Sequence, residues 1–288
     1  MIPGGGKMKI STQTLRLANT FGDIEAVKFL CELGYDSIDY SFFGSRAKGL
    51  PLENDNFFNH LRDLKKLAES YGVTFNQTHA PFGSYIEGDD DFNNWVKPLI
   101  IKSIEASGIL GAKYVIVHPF VVSKNQKQAN IDFFNSLLPH AKKHNVKIAL
   151  ENMFGQDPIE KKYTHNVCSN GVEFCDYLDS LDNKYFVACL DIGHCGLVGE
   201  DAAEMVLQLG HDRLKCLHVH DNNKTADQHT LPFLENIDFP GIIKALKEID
   251  YEGELTLEAD NFLSKIPIEL MKDASILMYK TAKFLANI

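Results

Sequence analysis

The chain is 288 residues long and carries 29 Lys and Arg against 39 Asp and Glu, a formal net charge of −10. That surplus opposes nucleic acid or an anionic membrane as a partner unless a local basic patch overrides it, and the densest basic runs are pairs such as Lys65-Lys66, Lys142-Lys143 and Lys161-Lys162. No apolar run approaches the ~18 residues of a membrane span, so no membrane association is expected, and a cytoplasmic location is.

In chain order, Met1 to Lys7 (MIPGGGK) lacks the apolar stretch of a signal peptide and is expected to be a leader, disordered or appended, ahead of Met8. Residues 8–288 are expected to form one domain. Strands are predicted near 8–14, 35–42, 73–80, 114–119, 146–152, 186–193, 214–221 and 253–260. The segments between them have helical spacing, as in Ile131, Phe134, Leu137, Leu138 and Ala141, or Ile242, Ile243, Leu246 and Ile249. Strand and helix alternating eight times describe a (β/α)8 TIM barrel, an α/β fold with its helices outside a closed parallel ring. Loss of one strand would reopen a doubly wound sheet as the alternative. The six cysteines form no CxxC pair and are expected to be free thiols.

Period-two alternation separates Val146, Ile148 and Leu150 from Lys147, Ala149 and Glu151, and Leu255, Leu257 and Ala259 from Glu254, Thr256, Glu258 and Asp260. In a barrel the apolar face meets the helices, so the second face points inward and its last members reach the C-terminal mouth, where barrel active sites sit. Six consecutive strands finish in a potential ligand: His79, His118, Glu151, Asp191 with His194, His218 with His220, and Glu258. One such histidine has an ordinary structural explanation; coincidence across six strands does not. A carboxylate in an apolar strand is costly to bury alone, and a dication offsets that cost. Imidazole with carboxylate suits a divalent metal of the Mn, Zn, Co, Mg or Fe kind. The loop after the seventh strand adds Asp227 and His229, a pair that is weak by itself.

These motifs, THAPFG (78–83), VIVHPF (115–120), LENMFG (150–155), CLDIGHCG (189–196), LHVHDN (217–222), DQHTLP (227–232) and LTLEAD (255–260), resemble those of the xylose-isomerase-like barrel superfamily. That superfamily holds sugar isomerases and epimerases, inosose dehydratases and the endonuclease IV family. The resemblance implies a metal held by Glu151, Asp191, His218 and Glu258. It favours His218 over His220 because the family's histidine stands three residues before an acidic or polar residue, here Asp221. His220 is then expected nearer the rim, where it could meet substrate. The endonuclease IV branch binds up to three metals, and its additional ligands match His79, His118, His194, Asp227 and His229. The implied chemistry is proton abstraction next to a carbonyl of a sugar or polyol through an enediolate, with Glu151 and Glu258 as the two proton-transfer groups. His79, His118 and His194 would then bind substrate oxygens. An inosose-type dehydratase, an abasic-DNA phosphodiesterase and a noncatalytic sugar-binding barrel are the alternatives. The acidic loop Glu87, Asp89, Asp90, Asp91 speaks against a polyanion. Family members often pair through barrel helices, which leaves room for a homo-oligomer. Tyr40, Phe42, Phe43, Phe82, Phe120 and Phe154 are candidates for an apolar wall against a sugar, with at least half of them expected in ordinary packing.

Overall fold

The computed structural model describes residues 8–42, 51–54 and 56–288. The expected leader, and Phe43 of the aromatic set, lie outside the described residues. Strands β1 (Ile10–Thr12), β2 (Ser37–Ser41), β3 (Thr74–His79), β4 (Tyr114–Val117) and β5 (Lys147–Glu151) come first. A hairpin of β6 (Phe154–Gln156) and β7 (Tyr163–His165) interrupts the series before β8 (Phe186–Asp191), β9 (Leu214–His218) and β10 (Leu255–Leu257).

Parallel pairing runs β2-β3-β4-β5-β8-β9, with β1 paired to β10. Bridges Gln13–Asp39 and Val219–Leu257 join the two sets, so the eight strands close a ring. All eight predicted strands are present, each within its expected range. Long helices cover the outside, among them Phe57–Ser70, Asp90–Leu110, Gln126–His144, Ala202–Arg213, Phe239–Glu248 and Met271–Leu285. None among the described residues is long and apolar enough to cross a membrane.

The two strand faces feed different cores. Ile38, Phe75, Val115, Val117, Ile148, Leu150, Leu217, Leu255 and Leu257 pack outward with the helices. Ile116, Ala149, Val187, Cys189 and Cys216 fill the barrel interior. Beside that apolar plug lies a polar layer, in which Ser11 Oγ donates to Asn76 Oδ1 (2.8 Å) and Gln77 Nε2 to Asp39 Oδ2 (3.1 Å). Two strands carry an extra residue: Asn76 bulges out of the β2–β3 register and Lys215 out of β8–β9. The six cysteines are free, and all but Cys175 are buried.

Some of the helices are opened by side-chain caps. Asp89 accepts from Phe92 N, so the acidic run 89–91 opens the helix Asp90–Leu110 and matches its positive N-terminal pole. Glu87 is held by the Ser123 amide and hydroxyl. The acidic rim therefore has a structural explanation beside its effect on anions. The hairpin β6–β7 has no counterpart in the sequence expectations.

Candidate metal centre and active site

The C-terminal mouth is built around Glu151, the last residue of β5, which is buried. Its Oε1 lies 2.9 Å from His218 Nδ1. Its Oε2 lies 2.7 Å from His118 Nε2 and 3.6 Å from His79 Nε2, with no aligned hydrogen-bond partner among the described residues. Glu258 approaches the same imidazole, with Oε2 3.2 Å from His218 Nδ1, and its Oε1 accepts from Gln13 Nε2 at 2.8 Å. Asp191 completes the group: potential ligand atoms of Glu151, Asp191, His218 and Glu258 lie within 4.8 Å of one another. Three carboxylates and one imidazole in so small a buried volume are a donor set that suits a divalent cation.

Asp191 has a second task. It caps the short helix Ile192–Leu197 by accepting from His194 N at 2.8 Å. Asn152 clamps it from both sides of the backbone, accepting from Asp191 N (2.7 Å) and donating to Asp191 O (2.9 Å). The capped turn swings the His194 ring back over the mouth, against Phe154.

Around this centre three further histidines are oriented by main-chain carbonyls, which can only accept. His79 Nδ1 donates to Ala80 O (2.7 Å), His194 Nδ1 to Asn152 O (2.8 Å) and His229 Nδ1 to Glu258 O (3.0 Å). Each ring thus turns Nε2 toward the site, the arrangement found in metal-ligating or oxygen-binding imidazoles. His79, His118 and Glu151 form one further potential ligand group, and His194, His220, Asp227 and His229 another.

His220 is fully buried rather than at the rim. Its Nε2 reaches both Asp191 oxygens (3.0 and 3.1 Å), and its ring stacks on His229 at 3.8 Å. The loop 221–237 closes over it, because Asp221 pairs with Thr230 and its carboxylate accepts from the amides of Glu235 and Ile237. Gly193 is required beneath the ring: a Cβ there would stand 2.0 Å from His220 Cε1.

Of the aromatic set, Phe82 lies against His118 and Phe154 against His194. Tyr40 and Phe42 instead pack with Phe57, and Phe120 with Tyr85 and Phe133. The hairpin adds Tyr163, whose ring meets Phe154 and whose hydroxyl accepts from Asp227 N.

Electrostatics follow the same contacts. Burial pushes the Glu151 carboxyl up, but the His218 and His118 imidazoles outweigh it and hold it well below the usual carboxylate range. Burial likewise opposes ionisation of Asp191, and His194 and His220 reverse it. Burial alone would lower His229, yet Asp227 and Glu258 push it up to about 10. For His118 burial prevails over Glu151, and its pKa falls.

Asp39, Gln13, Gln77 and Asn152 were not singled out as site residues by the sequence. The usable signal was Asp39 itself, a charge in the middle of a buried strand.

The family described as the xylose isomerase-like TIM barrel matches this chain over residues 27–280. A probable ketose 3-epimerase of Synechocystis sp. is 26% identical over 216 residues, 70% of each chain. The solved structure of a D-tagatose 3-epimerase-like protein superimposes with a TM-score of 0.69 at 21% identity, covering 95% of this chain and 99% of that one. The IOLI protein with a binding zinc atom gives 0.71 at 22% identity, covering 96% of each. At these identities the two structural likenesses speak for the fold.

Proposed function

The chain belongs to the xylose isomerase-like TIM barrel family, and from that premise we propose that it is a divalent-metal-dependent epimerase or isomerase of a small sugar or polyol. The observation that carries this reading is the convergence of Glu151, Asp191, His218 and Glu258 at the barrel mouth. The ketose 3-epimerase relative supports the substrate class, and the zinc in the IOLI structure supports a metal in this fold.

A metal held by those four residues supplies Lewis-acid polarisation of a substrate carbonyl and its neighbouring hydroxyl. Glu151 and Glu258 both reach His218 Nδ1, yet they enter from β5 and from the end of β10, so they flank the space between them. One carboxylate removes the proton next to the carbonyl, giving an enediolate; the other returns a proton. Glu258 is the more open of the two, with a side chain 13% exposed against 2% for Glu151. Gln13 fixes its Oε1 and leaves Oε2 toward the site. Return to the opposite face of the same carbon gives epimerisation, and return to the neighbouring carbon gives aldose–ketose isomerisation. Loss of a β-hydroxyl at the same site would give an inosose-type dehydration. His194, with Nε2 free of its carbonyl contact, hydrogen-bonds a substrate oxygen, and Phe82 and Phe154 present apolar faces.

The test is NMR-detected incorporation of deuterium from D2O into a panel of ketoses, aldoses and inososes. Exchange that requires added Mn, Zn or Co and is lost in Glu258→Gln is expected, and the labelled carbon distinguishes epimerase from isomerase. Absence of exchange across the panel by the metal-loaded protein refutes the reading. A second reading, an endonuclease IV-like phosphodiesterase, is favoured by the further potential ligand group His194, His220, Asp227 and His229. It requires three bound metals by elemental analysis and nicking of an abasic duplex.

A further inference from the structure

The side chain of Asp39 is completely buried inside the barrel, beneath the proposed metal centre. A carboxylate there needs compensation, and the only hydrogen bond the structure gives its side chain among the described residues comes from Gln77 Nε2 at 3.1 Å, with Oδ1 unpartnered. The atom it faces is His218 Nε2, 3.5 Å from Asp39 Oδ2, and that nitrogen too has no hydrogen-bond partner among the described residues. The opposite nitrogen of the same ring, Nδ1, points at Glu151 and Glu258.

We propose that Asp39 is a positioning residue for His218: it holds the proton on Nε2 and the ring plane in place, so that Nδ1 is the nitrogen offered to the metal. This inference rests on the metal-site reading above. His79, His194 and His229 are each oriented by a main-chain carbonyl, whereas His218 is fully buried and the group facing its Nε2 is a carboxylate from across the barrel. The ring stacks on His79 at 5.6 Å and 14°, which limits its tilt but does not choose which nitrogen carries the proton. Gln77 fixes the carboxylate in turn, and its own position comes from the bulge at Asn76. A carboxylate behind a ligating imidazole raises its basicity and fixes its tautomer, and removing such a partner costs ~10–100-fold in metal affinity.

The experiment uses the full chain, with histidines 15N-labelled and resonances assigned through His218→Gln. In zinc-loaded wild type, His218 should show a slowly exchanging Nε2 proton and a ligated Nδ1. Asp39→Asn, which keeps the side-chain volume, should lower zinc affinity ~10–100-fold by competition with a chromophoric chelator and lose the slow exchange at Nε2. A purely structural role for Asp39 would lower stability without altering the tautomer or the exchange. Wild type with the proton on Nδ1 and Nε2 ligated overturns the proposal whether or not the variant folds. Normal zinc affinity and an unaltered Nε2 proton in Asp39→Asn also overturn it. Wild type that binds no zinc at His218 overturns the metal-site reading itself, and with it this inference.

Discussion

Substitution of Gly193 by alanine is the sharpest test of how the site is packed. The added methyl would lie 2.0 Å from His220 Cε1, 2.5 Å from Nε2 and 2.6 Å from Nδ1. To regain ordinary contact the ring has to withdraw by roughly 1.4 Å, which carries Nε2 out of hydrogen-bond range of Asp191. The ring cannot simply slide, because His229 stacks on it at 3.8 Å. Overpacking costs about 1–3 kcal/mol, and a lost hydrogen bond to a charged group about 1.5–3 kcal/mol, so Gly193→Ala should destabilise by about 2.5–6 kcal/mol. Urea unfolding of the metal-free protein, followed by far-UV circular dichroism, measures it. A double-mutant cycle with His220→Ala isolates the clash: with the ring removed, the alanine should cost less than about 1 kcal/mol. A loss below about 1 kcal/mol in the single variant, or equal costs in both backgrounds, would refute the packing argument.

Four further outcomes are expected. In the metal-free protein, His229 has its pKa raised to about 10 from about 6.5 when unfolded. Its pairing with Asp227 and Glu258 therefore contributes fully below about pH 6.5 and is lost as pH rises through 10. The melting temperature of chelated protein should fall from pH 7 to 10, and His229→Asn should flatten that fall; a flat wild-type profile counts against it. Glu151 and Asp191, whose pKa values are depressed, act at the other end: their contribution is present above about pH 4 and disappears on acidification. Added Mn or Zn at about 100 times its dissociation constant should stabilise the wild type by about 2.7 kcal/mol in the same unfolding assay, and Asp191→Asn should shrink that gain at fixed metal concentration. Asp89→Ala should cost about 1 kcal/mol through loss of the Phe92 cap while leaving deuterium exchange unchanged.

The barrel was legible because both of its signals are local. Alternation placed Ile148 and Leu150 outside and Ala149 inside, and the ends of the strands carried the ligand candidates in a fixed order. What stayed hidden depends on contacts far apart in the chain. Asp39 and His218 meet only once the ring has closed, so the sequence could show an out-of-place charge but not its partner. His220 lies on the expected strand face, yet its burial depends on how loop 221–237 folds back over it. The acid run at 89–91 shows in the sequence as a charge that opposes polyanions, and its use as a helix start is visible only with the Asp89 cap.

The two bulges decide which residues β3 and β9 offer to chemistry. In a regular strand, residues an even number apart share a face, so Phe75 and His79 should point the same way, as should Leu214 and His218. They do not: Phe75 and Leu214 pack with the outer helices, while His79 and His218 stack on each other inside the mouth. The single extra residue in β3 and in β9 acts as a half-period phase shifter, inverting the strand between its structural start and its chemical end. A strand built this way can keep its helix-facing start unchanged and exchange the residues it sends to the mouth by gaining or losing one residue upstream.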